Sequence, residues 1–248
     1  MSKVSPIDAK LFKALVATSS KFGTEQRYWA GPDGFGCLVA DDASVALAEW
    51  SLGAQYFKEL PAERVTFGAV KDFGEAVKAG KDGEELSLFV GVDYVGVSSS
   101  RKGVQASRKV PVRDLGPPRL LFNDQLLKVY NGSPRVVVPV ETLGSVLGAV
   151  AGVEGTVKLS AAPGSKALRF SRRADDGLGV DGSAELLEAP GDVMRAAYSL
   201  EYLEAAAGFA KAFETVTLAF GVDRPLFLEA GIIGQRVFVV VAPRVENE

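Results

Sequence analysis

Laid against itself with Gly91 on Gly221, an offset of 130 residues, this chain partly repeats. LSLFVGVDYVGV (Leu86–Val97) falls on VTLAFGVDRPLF (Val216–Phe227). Gly91-Val92-Asp93 superposes on Gly221-Val222-Asp223, Leu88 on Leu218, Lys81 on Lys211 and Phe73 on Leu203. Two unrelated hairpins can share a turn. Here each half carries helix, lysine, strand, Gly-Val-Asp turn and strand in the same order, which favours a duplicated domain. At ~100–200 residues per domain, 248 residues accommodate two copies. The boundaries read as residues 1–113, a connecting loop 114–135, and residues 136–248. The loop, DLGPPRLLFNDQLLKVYNGSPR, holds three Pro, two Gly and two Asn and is longer than the usual ~4–6-residue connection. Its LLF and LLKVY patches are too apolar for a flexible spacer and should pack on the body or on a partner.

Four stretches repeat apolar residues at three- and four-residue steps and predict helices: about Ile7–Phe22, Ala69–Lys81, Val140–Val150 and Leu200–Phe213. Much of the remainder reads as short Val-, Leu- and Phe-rich strands broken by Gly, Pro, Asp and Asn. Among them are Glu85–Val90, Tyr94–Ser99, Gln105–Val112, Arg135–Val138, Lys166–Arg172, Thr215–Phe220 and Arg236–Val241. Many short strands with a few helices on one face make an α+β layered fold.

The absence of histidine removes Ser–His and Cys–His nucleophile pairs, His-ligated metals and His proton shuttles together. The single cysteine, Cys37, removes an internal disulfide framework and any Cys cluster for zinc. Adjacent carboxylates at Asp41–Asp42 and Asp175–Asp176 are the remaining route to an enzyme, a Mg²⁺-dependent hydrolase. Neighbours on a strand point to opposite faces, and Asp is common in turns for backbone reasons, so a non-enzymatic role is expected, with no cofactor and no metal. No apolar run reaches the ~18 residues of a membrane span, and the start lacks a signal-peptide core. A soluble cytoplasmic protein with no membrane partner is the expectation.

Net charge is −3. The position of the charges matters more than their sum. Lys10, Lys13 and Lys21 lie on the first helical stretch, and Lys71, Lys78 and Lys81 on the second, opposite the apolar faces. The fourth adds Lys211 together with Glu201 and Glu204; the third carries no basic residue. Such stripes read either as solvated helix faces or as a weak, sequence-independent track for phosphates. No aromatic residue interrupts them, so base stacking is not indicated.

Taken whole, the chain resembles the archaeal sliding clamps, relatives of proliferating cell nuclear antigen (PCNA). DAKLFKALVATSSKF resembles the family's first lining helix. GPDGFGCLVADDASVALAEWSL resembles its strand–turn–strand segment with Asp41 and Val45, and RKVPVRDL the strand end before its connecting loop. YSLEYLEAAAGFAKAFETVTLAFGVDRPLFLEA resembles its last helix and hairpin, and VVVAPRVENE its tail. The resemblance implies two similar clamp domains per subunit and six per three-subunit ring, helices lining the hole and sheets outside. It implies a chromosome-associated processivity factor that encircles duplex DNA and tethers DNA polymerase, with flap nuclease, ligase and clamp loader bound through short motifs. A checkpoint-type clamp subunit, or one subunit of a heterotrimeric rather than homotrimeric ring, shares the pattern.

Residue by residue, the resemblance places Lys10, Lys13, Lys21, Lys71, Lys78, Lys81 and Lys211 toward DNA. It places a client pocket at Val45, Leu47, Gln125, Leu126, Val129, Pro225, Val241, Ala242 and Pro243. It implies a subunit interface between the edge strand of Gln105, Ser107, Lys109 and Val110 and a second edge strand of Ala167, Leu168, Phe170 and Arg172. The segment Arg173–Ala197 is shorter than in the family, which predicts a trimmed strand there.

Overall fold

The computed structural model describes residues 2–69, 71–80, 84–101, 104–113, 115, 123–151, 156–173 and 178–244. The chain forms two compact units: Met1–Leu120 with Ile232–Arg236, and Leu121–Gly231 with Val237–Glu248.

Unit 1 runs β1 (Ser2–Pro6), α1 (Ala9–Phe22), β2 (Glu25–Gly31), β3 (Gly34–Ala40), β4 (Ala46–Gly53), β5 (Phe57–Glu59), β6 (Val65–Ala69), α2 (Lys71–Lys78), β7 (Glu85–Val90), β8 (Tyr94–Arg101) and β9 (Val104–Pro111). Unit 2 runs α3 (Asp124–Asn131), β10 (Arg135–Pro139), α4 (Val140–Val150), β11 (Val157–Ala161), β12 (Ala167–Arg173), β13 (Gly179–Glu185), β14 (Met194–Tyr198), α5 (Leu200–Ala210), β15 (Thr215–Ala219), β16 (Leu226–Ile232) and β17 (Gln235–Val241).

The repeat hinted at by the Gly-Val-Asp turns extends through both units. In unit 1 the order β1-β7-β8-β9, with β5 beside β1, matches β10-β15-β16-β17 in unit 2. The run β4-β3-β2-β6 matches β13-β12-β11-β14. Helices α1 and α2 pack together in unit 1, as α4 and α5 do in unit 2. The shared turn links β7 to β8 and β15 to β16, both antiparallel pairs.

Both cores mix aromatic and aliphatic side chains. In unit 1 Phe12 meets Phe35 edge-on at 5.0 Å, and Tyr28 meets Phe73 at 4.9 Å. Such geometry adds to plain area burial. Trp50 is buried and satisfies its indole by donating to the Ser19 hydroxyl at 2.7 Å. In unit 2 Val136, Val138, Leu159, Leu168 and Leu203 are buried together with Tyr198, Phe209, Phe220 and Phe227. Asp8 starts α1 by accepting from Leu11 N–H at 3.0 Å, satisfying an otherwise unpaired helix donor.

Three expectations are corrected. The segment Arg173–Ala197 is not trimmed, since it holds β13 and β14. The edge strand of its sheet is therefore β13, not Ala167–Arg172: β12 is interior, paired to β11 on one side and β13 on the other. The connecting segment, read as a loop, contains the eight-residue helix α3. No helix among the described residues is long and apolar enough to cross a membrane.

Candidate DNA-facing and client-docking surfaces

Helices α1 and α2 carry the basic residues of unit 1. Lys10 and Lys21 are exposed on α1, and Lys78 is exposed on α2, 3.3 Å from Glu75. Lys13 departs from that stripe. It is 8% exposed, and its Nζ donates to Gly80 O at 2.7 Å, where α2 ends. A lysine so bound is a strut between the two helices rather than a mobile charge. The side chain of Lys71 and all of Lys81 lie outside the described residues. In unit 2, Lys211 is exposed beyond α5, with Glu201 and Glu204 exposed on that helix. Helix α4 exposes Glu141, Gly144, Ser145, Gly148 and Ala149 and no cation. The exposed lysines on described helices are thus Lys10, Lys21 and Lys78 in unit 1 and Lys128 on α3 in unit 2, and on α2 Asp72 and Glu75 are exposed beside Lys78.

The residues assigned to client docking fall in both units. In unit 1, Asp41 is buried and its carboxylate accepts from the backbone N–H groups of Ala43 at 3.0 Å, Val45 at 2.7 Å and Ala46 at 2.6 Å. The turn passes through Ser44 at φ 58° and leaves Val45 39% exposed. Leu47, two residues on, is core. The Asp41 carboxylate is thus saturated by its own turn, and Asp42 accepts from the Thr24 hydroxyl at 2.7 Å. The pair is spent on loop geometry, not gathered for a metal. Asp175 and Asp176 lie outside the described residues.

In unit 2, Asn123 caps α3 by accepting from Leu126 N–H at 2.9 Å. Leu126 and Val129 pack against Tyr130, Ala219, Phe227, Phe238 and Val240. Tyr130 locks the helix down: its hydroxyl bonds Glu229, its ring meets Phe238 at 5.1 Å, and the Arg135 guanidinium lies 4.8 Å over it. Gln125 and Leu127 remain exposed. Pro225, Ala242 and Pro243 are half-buried, and Val241 is core. In unit 1 Val45 offers surface and Leu47 is core; in unit 2 Gln125, Leu126, Val129, Pro225, Ala242 and Pro243 offer surface and Val241 is core. Tyr130 and Glu229 escaped the sequence reading, although Leu126, Val129 and Tyr130 stand at i, i+3 and i+4.

Strand β9, expected at a subunit interface, ends its sheet beside β8, and all of its described residues but Val110 are exposed. Gln105 reaches back to the Ser98 hydroxyl at 2.9 Å, Ser107 is exposed, and Lys109 lies 4.7 Å over the Tyr94 ring. On β12, Leu168 and Phe170 are buried, Ala167 is half-buried, and Arg172 donates to Val150 O at 2.9 Å. These four cannot form an open edge, because β13 already takes their outward backbone groups in register from Ala167↔Glu185 to Arg173↔Gly179.

No protein-family model matches the chain. It is similar to proteins named DNA polymerase sliding clamp from Methanosarcina acetivorans, Methanosarcina mazei and Methanosarcina barkeri. Each is 23% identical over 258 aligned residues, covering 98% of this chain and 98% of the relative. Among solved structures, PCNA from Thermococcus kodakaraensis superposes with a TM-score of 0.82 at 21% identity, covering 98% of this chain and 100% of that one. The proliferating cellular nuclear antigen of Entamoeba histolytica gives 0.83 at 14% identity, covering 98% and 99%. The class is therefore that of the DNA clamp fold, a duplicated α+β unit. Within that class, the sequence likeness runs end to end with archaeal DNA polymerase sliding clamps.

Proposed function

We propose that this protein is a ring-forming sliding clamp that encircles duplex DNA and tethers a DNA polymerase as its processivity factor. What carries the reading is coverage: the likeness to named clamps, in sequence and in fold, spans 98% of the chain. The role is non-catalytic, with exposed Lys10, Lys21, Lys78 and Lys211 giving loose, screened contacts to phosphates. A Debye length of ~8 Å at physiological salt lets such contacts hold a duplex without braking it. Flap nuclease, ligase and clamp loader would dock through short motifs, with Leu126 and Val129 as apolar anchors on unit 2.

The edge strands β9 and β13 favour a ring of identical subunits over a mixed one. Strand β9 carries Arg108 and Lys109 and no acid; β13 carries Asp181 and Glu185 and no base. Asp181 also pairs with Arg173 of its own unit. A basic edge meeting an acidic edge of the next copy is head-to-tail and self-complementary, and it hides both edges.

The test is topological. Loaded onto nicked circular DNA, the protein should co-elute with it on gel filtration and should fall off when the circle is cut. Retention on the linear product would mean adhesion rather than encirclement and would sink the proposal.

A further inference from the structure

Unit 1 contains a cavity that neither the lysine stripe nor the client surface uses. Strands β2, β3 and β6 send Tyr28, Cys37 and Phe67 into the core, so alternate residues point to the other face. There Arg27 stands opposite Leu38 and Gly68, and Trp29 opposite Gly36 and Thr66. Gly36 lets the indole lie flat: a Cβ there would sit 2.5 Å from the Trp29 ring. The Arg64 guanidinium covers the indole at 4.7 Å. Gly68 admits the chain leaving β9, since a Cβ there would sit 2.4 Å from Arg113 O, and Arg113 N–H donates to Gly68 O at 3.1 Å. Arg27 fixes the end of that segment by donating to Leu115 O at 2.6 Å. These walls enclose about 650 Å³, within the range of ligand pockets.

Three guanidiniums surround the cavity, while Leu38, Val112 and Leu115 make part of its lining apolar. Arg27 is engaged in holding the wall. Arg64 and Arg113 are exposed. A guanidinium presents a rigid fork of donors that matches a carboxylate in two-point contact. A nucleic acid finds no stacking platform, because both faces of Trp29 are taken, by Gly36 and Arg64. Asp93 also lines the cavity, so a ligand's carboxylates must lie toward Arg64 and Arg113 and away from it. We propose that this cavity binds an acidic peptide segment of a partner protein, with carboxylates held by Arg64 and Arg113 and an aliphatic side chain seated on Leu38 and Leu115. The site rests on unit 1 alone, so failure of the ring reading leaves it standing.

The experiment is fluorescence anisotropy of the full-length protein with a labelled octapeptide of Glu and Asp residues around one Leu and one Phe. Saturable binding is expected, weakened at least tenfold by Arg64→Glu with Arg113→Glu and unchanged by Lys166→Glu on unit 2. If the double variant loses its cooperative melt, the pair Arg64→Lys with Arg113→Lys decides: it keeps the charge, loses the fork, and should weaken binding by a smaller factor. Absence of saturable binding, full affinity in a folded double-Glu variant, or unchanged affinity in the Lys pair would overturn the proposal. So would displacement of the peptide by an equal concentration of single-stranded oligo-dT, which would make the cavity a phosphate site.

Discussion

At the scale of single residues, the structure separates lysines that the sequence makes look alike. At about 100° per residue, Lys10 and Lys21 lie within about 20° of each other on α1, whereas Lys13 is rotated by about 60° from Lys10 and about 80° from Lys21. That turn is enough to carry its stem to Gly80, and no helical wheel records where α2 ends. Lys13→Ala removes a charge-assisted bond and strands a carbonyl, so unit 1 should lose roughly 1–3 kcal/mol in urea unfolding. Lys10→Glu should leave the urea midpoint unmoved and weaken DNA retention. If the two variants exchange these phenotypes, the assignment is reversed. Cys37 offers a second check. It is fully buried, and burial pushes its thiol well above the usual range, so little thiolate forms in the folded state. As the single cysteine of the chain, it should react with a disulfide reagent at pH 8 about a thousandfold more slowly than a free thiol, and at the free rate in denaturant. Fast native labelling would mean that the aromatic core of unit 1 opens readily.

At the scale of elements, legibility followed local pattern. Glu85–Val90 is found where alternation put it, because both hairpin strands bury one face on their own core. Strand β13 was invisible for the opposite reason. GVDGSAE has one large apolar residue, two glycines and no deep burial, so its place is set by backbone pairing with β12 rather than by side chains. Helix α3 was hidden by its neighbours: Pro and Gly on either side read as loop, while its apolar spacing is plain once the helix is seen. The acidic character of β13 and the basic character of β9 give a test of the edge assignment. Asp181→Lys with Glu185→Lys should lower the solution mass to that of one chain. Adding Arg108→Glu with Lys109→Glu to the same chain should restore association. Cross-strand charge pairs contribute roughly 0.2–1 kcal/mol each, and reversal converts each attraction to repulsion. Association that survives the first pair of changes would place the contact elsewhere.

At the scale of the molecule, net acidity and DNA association are compatible because a local field depends on where charges sit, not on their sum. Helix α1 displays Lys10 and Lys21 with no acid, whereas α2 exposes Lys78 beside Asp72 and Glu75, and unit 2 offers Lys128 on α3 and Lys211 after α5. The fold's duplication was legible from one turn and one lysine, because a Gly-Val-Asp turn in the same helix–strand context is hard to place twice by chance. The second repeat loses no strand from its β13-β12-β11-β14 run, because a shorter segment between Arg173 and Ala197 shortens connections as readily as strands. What remains is whether the copies close on themselves. Two edges of opposite charge on one chain need no foreign subunit, so light scattering behind size exclusion should give about three times 26.2 kDa. The mass should hold across dilution until the edges separate. It should fall sooner at high salt, because part of the attraction is between exposed charges screened within ~3 Å at 1 M. A chain that stays single at every concentration, in low salt, would rule out self-closure and require neighbours that supply the complementary edges.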